Sequence, residues 1–215
     1  MWITESGDKK VNVIVALISV SLSFFVVLSF LIFRKMRRSV FMMFIFFISL
    51  CDFIANASVF FPGTDESIWC FFQGIFMQYF YSVSFIWTMI LTYNMYSLGT
   101  KGKLGVDIKT FHLIAWGVPL VLALLPLTTE TYRSAKDDDD WCWINSRYEE
   151  RDGSQFLTYF WTMVSFWIPL FLCCIACFYW GQVMIYFDYG VNNEYAKGVI
   201  NQVVSTLIAY PIIIW

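Results

Sequence analysis

Six cysteines, one histidine and one deeply placed acid are the residues of this 215-residue chain with chemistry to offer. Cys70 opens an apolar stretch and Cys142 lies in a long polar segment between two others. If both face the cell exterior, where disulfides persist, a bridge would tie that segment over the helices. The alternative is two free thiols at the rim. Cys51, Cys173, Cys174 and Cys177 lie inside apolar stretches and read as small packing residues. Asp52 is the only acid or base well inside such a stretch. An ionisable group at that depth is costly and faces a protein interior with polar partners. It is a candidate intramembrane switch, holding a sodium ion or changing protonation, or else a plain helix–helix hydrogen-bonding group.

Trp141 and Trp143 flank Cys142 and read either as a pocket cap or as interfacial anchors. Tyr81, in the third apolar stretch, is the remaining ligand-pocket candidate. The chain has no HExxH, no phosphate loop and no Cys/His set at zinc spacing. No second intramembrane acid accompanies Asp52. No catalytic residue, metal or cofactor is therefore expected, and an enzyme is not.

These residues need elements to hold them. The chain is 59% hydrophobic and 14% charged, against about 45–50% and about 25% in average soluble domains. A soluble domain this apolar has too few polar groups to cover its surface. A net charge of −2 with no basic domain gives no reason to expect nucleic acid. Six apolar spans are predicted, at about 11–33, 40–61, 69–98, 111–127, 156–187 and 196–215. Each is long enough to cross a hydrocarbon core of about 30 Å as a helix. Barrel strands would be about half as long and alternate in polarity, so the expected fold is an all-α membrane bundle. Residues 1–10 read as an extracellular N-terminus and 11–215 as the bundle. The sixth span is still apolar at Trp215, so a further helix is expected downstream, making seven; the alternative is a true six-helix protein.

Orientation follows Lys and Arg in short loops. The first loop carries Arg34, Lys35, Arg37 and Arg38, and the third carries Lys101, Lys103 and Lys109. Those loops are assigned to the cytoplasm, which puts Cys70 and Cys142 together outside; Lys9 and Lys10 argue weakly the other way. The basic loops, with Tyr96, are candidates for a cytoplasmic contact surface, and the first also suits anionic lipid. Pro119, Pro169 and Pro211 each remove a backbone donor within a span and are expected to bend it. The run Asp137–Asp140 reads as a solvated loop face that repels anions.

Several segments resemble one known family. The third span carries Trp87-Thr88-Met89-Ile90-Leu91 and Tyr96-Ser97-Leu98. The fourth carries His112 through Trp116-Gly117-Val118-Pro119-Leu120, the loop carries Trp141-Cys142-Trp143-Ile144, and the second span carries Asp52-Phe53-Ile54. From about Arg34 to Ile144 the chain resembles the cyclic-AMP-receptor-like G-protein-coupled receptors. The resemblance implies a seven-helix plasma-membrane receptor for an extracellular ligand, coupled to a heterotrimeric G protein and carrying the Cys70–Cys142 bridge. Asn94-Met95-Tyr96 stands where rhodopsin-like receptors have an Asp/Glu-Arg-Tyr triplet. The competing class is a six-helix transporter or channel subunit, which predicts related halves and a polar through-path; neither is visible.

Overall fold

A computed structural model of the chain describes residues 5–60, 68–105, 107–129, 131–134, 142–144 and 154–188. Among them five helices are long and apolar enough to span a bilayer: Val13–Ile32, Val40–Phe60, Ile68–Lys101, Ile108–Thr129 and Phe156–Met184. The sixth span with Pro211, the acidic run Asp137–Asp140 and Trp141 lie outside the described residues.

Helix α1 (Glu5–Ile32) begins before the apolar stretch that predicts it. Lys9 and Lys10 are good helix formers and no proline interrupts Glu5–Val11, so the helix extends outward despite Gly7. A single helical turn, α2 (Arg34–Arg37), then leads into α3 (Val40–Ala57), which closes in a 3-10 turn, Ser58–Phe60. Helix α4 (Ile68–Lys101) has 34 residues, about 51 Å at ~1.5 Å per residue. That exceeds the hydrocarbon core, so the helix tilts or projects beyond it. Helix α5 (Ile108–Leu124) passes into a 3-10 turn, Leu125–Thr129. The fifth span is α6 (Ser154–Thr162), a π-helical turn (Met163–Trp167) and α7 (Ile168–Asp188).

Helix α4 is the central element. It packs on α3, α5 and α7, while α1 touches the bundle through α3. Composition explains the difference. Along α1 large side chains such as Leu22 and Phe25 are exposed, and among the residues whose side chains are described only Ala16 is buried. Helix α4 buries Gln73, Gln78, Ser82, Ser84, Thr92, Asn94 and Ser97 together with Trp87 and Val83. Lipid offers nothing to a polar side chain, so such residues turn toward protein.

The sequence reading anticipates only a loop between the fourth and fifth spans. The structure instead contains an antiparallel hairpin there: β1 (Tyr132–Ser134) pairs with β2 (Cys142–Ile144), with Tyr132 opposite Ile144 and Ser134 opposite Cys142. Three-residue strands carry too little alternation to be read from a sequence.

Candidate functional site

Cys70 and Cys142 are bonded, with their Cα atoms 5.2 Å apart. The bridge holds β2 across the first turns of α4. Two further contacts seat the hairpin. The Cys142 amide donates to Gln73 Oε1 at 2.9 Å, and Gln73 Nε2 donates to the Val59 carbonyl at 3.3 Å. Gln73 therefore joins the hairpin to the end of the second span. On the other strand, the Tyr132 hydroxyl donates to the Ala123 carbonyl at 2.8 Å. Burial in this apolar seat pushes the Tyr132 phenol above its usual range.

Gly74 makes this approach possible. A Cβ there would sit 2.8 Å from Tyr132 Cδ1 and 3.5 Å from the Trp143 Cα. Only a residue without a side chain lets the sheet lie this close to the helix.

Beneath the hairpin, Trp143 is half-buried and turned toward the bundle. Its indole N–H donates to Gln78 Oε1 at 3.1 Å, and its ring meets Phe166 edge-on with centroids 5.0 Å apart. Gln78 Nε2 donates to the Ser165 carbonyl at 2.7 Å. The reason this carbonyl is available is Pro169. In an α-helix the carbonyl of Ser165 would accept from the amide four residues on, which is Pro169 and has no N–H. The backbone widens into the π turn, with the Ile168 amide donating to the Met163 carbonyl, and Gln78 supplies the missing donor.

Tyr81 faces a different neighbour from the hairpin. Its hydroxyl donates to Asn56 Oδ1 at 3.1 Å, and Asn56 Nδ2 donates to the Asp52 backbone carbonyl at 2.8 Å. Tyr81, Asn56 and Asp52 thus form one polar strip between α4 and α3. Asn56 begins an Asn-Ala-Ser glycosylation sequence, and both ends of it are engaged: Ser58 is buried and donates to the Ala55 carbonyl at 2.7 Å.

Further along the helices an aromatic cluster joins α3, α4 and α5. Trp87 stacks on Phe47 with centroids 4.8 Å apart. His112 meets the edges of both, 5.0 Å from each. Trp116 donates its indole N–H to His112 Nδ1 at 3.2 Å. Trp87 is fully buried, and its own indole N–H has no hydrogen-bond partner among the described residues. Pro119 is buried inside α5, one turn beyond Ala115 and two turns beyond His112.

At the opposite end of α4 from the bridge, Gly102 takes φ +67° and its amide caps the Leu98 carbonyl at 3.1 Å. That is the left-handed turn that ends many helices. The chain then folds back on α4. Ser97 Oγ donates to the Lys103 carbonyl at 3.0 Å, and the Gly105 amide donates to Asn94 Oδ1 at 3.3 Å. Gly105 lies against the Tyr93 ring so closely that a Cβ would overlap it. Tyr93 also packs on Trp180 of α7, centroids 5.0 Å apart. Tyr96 is half-buried beside Tyr93, while Arg34, Lys35, Arg37, Arg38, Lys101 and Lys103 are exposed.

Among the predicted site residues, Cys70, Cys142 and Trp143 come together at one end of α4. Tyr96, Lys101 and Lys103 lie at the other, and Asp52 and Tyr81 are linked through Asn56 between α3 and α4. Gln73, Gln78 and Gly74 escape a sequence reading that looks for charge. The available signal was their polarity or smallness within an otherwise apolar span.

The sequence profile of the family described as slime mold cyclic AMP receptor matches residues 3–215. "Cyclic AMP receptor-like protein A" of Dictyostelium discoideum is 32% identical over 123 residues, covering 56% of this chain and 32% of that protein. "G-protein coupled receptor 1" of Arabidopsis thaliana is 25% identical over 161 residues, covering 72% of this chain and 48% of the relative. "G-protein coupled receptor 157" of Mus musculus is 32% identical over 117 residues, covering 49% and 35% respectively. The chain thus spans about a third to a half of the length of these relatives.

Proposed function

Because the chain belongs to the slime mold cyclic AMP receptor family, we propose that this G-protein-coupled-receptor-like membrane protein takes an extracellular ligand beneath its hairpin and activates a heterotrimeric G protein. In this reading it is a receptor and performs no catalytic step. It sits in the plasma membrane with its N-terminus outside.

The observation that carries the reading is the hairpin fastened to α4 by Cys70–Cys142 and Gln73, and to α5 by Tyr132. It roofs the bundle at the end opposite the exposed basic segments Arg34–Arg38 and Lys101–Lys103. Trp143, with Trp141 and Tyr81, forms the ligand-facing set. The acidic run Asp137–Asp140 favours a cationic or neutral ligand over an anionic one. Asp52 is the intramembrane polar switch. A ligand drives that switch only through a different affinity for its two arrangements.

The test is nucleotide exchange on purified heterotrimeric G proteins by the chain in lipid nanodiscs, without ligand and with cyclic AMP as the probe. Accelerated exchange, lowered by Lys101→Gln with Lys103→Gln, supports the reading. Rates equal to those of empty nanodiscs in every condition reject G-protein activation. Orientation is checked separately: a glycosylation sequence added before Glu5 should be used, and one placed at Lys103 should not.

A further inference from the structure

We propose that Gln78 is a positioning residue that couples Trp143 in the hairpin to the backbone register of the fifth span. Its fully buried carboxamide is divided between two masters: Oε1 accepts from the Trp143 indole at 3.1 Å, and Nε2 donates to the Ser165 carbonyl at 2.7 Å. The two partners, Trp143 and Ser165, lie 22 positions apart in sequence (165 − 143) and on different elements. No other side-chain bond among the described residues reaches from α4 to the π turn.

The coupling has a physical direction. Pro169 leaves the Ser165 carbonyl without its α-helical donor, and the Gln78 amide supplies one in its place, which favours the π turn at Met163–Trp167. A planar amide cannot move its oxygen without moving its nitrogen. Displacing the Trp143 indole strands Oε1 in a buried site and rotates the amide toward a new partner. The Ser165 carbonyl then loses its donor, and the π turn shifts along the helix. A π turn differs from an α-helix by one residue, so its movement re-aims each side chain it passes by about 100°. Trp180, which rests on Tyr93 at the far end of α7, lies on the segment that follows. A ligand beneath the hairpin would in this way reach the opposite end of the bundle. Only that last arm rests on the receptor reading; the coupling itself does not.

Hydrogen–deuterium exchange on the ligand-free chain in nanodiscs tests the coupling without a G protein. Gln78→Met should speed exchange in peptides spanning Met163–Cys173 about two- to tenfold, the loss of one buried hydrogen bond. Trp143→Phe, remote in sequence, should do the same, and the double variant should exceed neither single one. That non-additivity separates the amide route from the direct ring contact of Trp143 with Phe166, which survives loss of Gln78. Gln78→Glu keeps an acceptor for the indole and loses the donor for Ser165. It should loosen the fifth span while Cys142–Ile144 stays protected, and it serves if Gln78→Met does not fold. Unchanged exchange around Ser165 in Trp143→Phe, or effects that simply add, would overturn the proposal and leave the receptor reading standing.

Discussion

Gly74 and Tyr132 touch at the closest point between α4 and the hairpin, where a Cβ on Gly74 would lie 2.8 Å from the Tyr132 ring. The ring has little room to yield, because its hydroxyl is bonded to the Ala123 carbonyl. Gly74→Ala is expected to destabilise the docked hairpin by about 1–3 kcal/mol, the usual effect of overpacking. Slower formation of the Cys70–Cys142 bridge, seen by non-reducing electrophoresis, is the measurement. Tyr132→Leu in the same chain should restore it.

The phenol of Tyr132 supplies a pH dependence. Burial raises its pKa, so the unfolded chain gives up this proton first as pH rises. The stability the group contributes is complete below about pH 10 and declines above it. Thermal denaturation followed from neutral to alkaline pH should show that decline, and Tyr132→Phe should flatten it. An identical alkaline limb in the variant would assign the effect to other residues.

Cys142→Ser should cost about 2–4 kcal/mol, the common range for a native disulfide. The hairpin keeps its Gln73 and Tyr132 bonds, so Cys70→Ser should be equally harmful and the double variant no worse. Surface expression and melting temperature of the three variants decide this.

Asn94 occupies the helix end where rhodopsin-like receptors carry an acid, and it binds the Gly105 amide instead of a neighbouring charge. Asn94→Ala should release the turn after α4 and speed tryptic cleavage at Lys101 and Lys103 several-fold, with little change in melting temperature. Gly105→Ala should act in the same direction through the Tyr93 ring. Equal cleavage rates in wild type and both variants would show the turn held by something else.

Within the aromatic cluster, Trp87→Ala should lose about 3–5 kcal/mol through the cavity it leaves. Trp87→Phe should lose clearly less, because the indole N–H makes no bond that phenylalanine would forfeit. Trp116→Phe, by contrast, removes the bond to His112. Melting curves of the three variants rank these effects.

What the sequence made legible followed from bulk physics. Hydropathy located the five described spans, and the excess of Lys and Arg in alternate loops put Cys70 and Cys142 at one end before the structure joined them. Pro169 was recognisable as a missing donor, but not the residue that replaces it. Gln78 is neutral and sits in a largely apolar run, and its partner Ser165 lies 87 residues away. Such a pairing becomes visible only when two helices are packed. The hairpin was hidden for a related reason: its strands are held by α4 rather than by their own short pattern. Asn56, the partner of the Tyr81 hydroxyl, is equally silent in the sequence, because it lies 25 residues away on another helix.

The sulfur–sulfur link spans 72 positions of sequence and encloses α4, α5 and β1 in a covalent macrocycle. A single nick within that circuit, as at Lys103, opens the chain without parting it. The two pieces would travel as one molecule until a reductant is added. Function that survives such a nick would mean that the turn after α4 acts through its placement and not through its continuity.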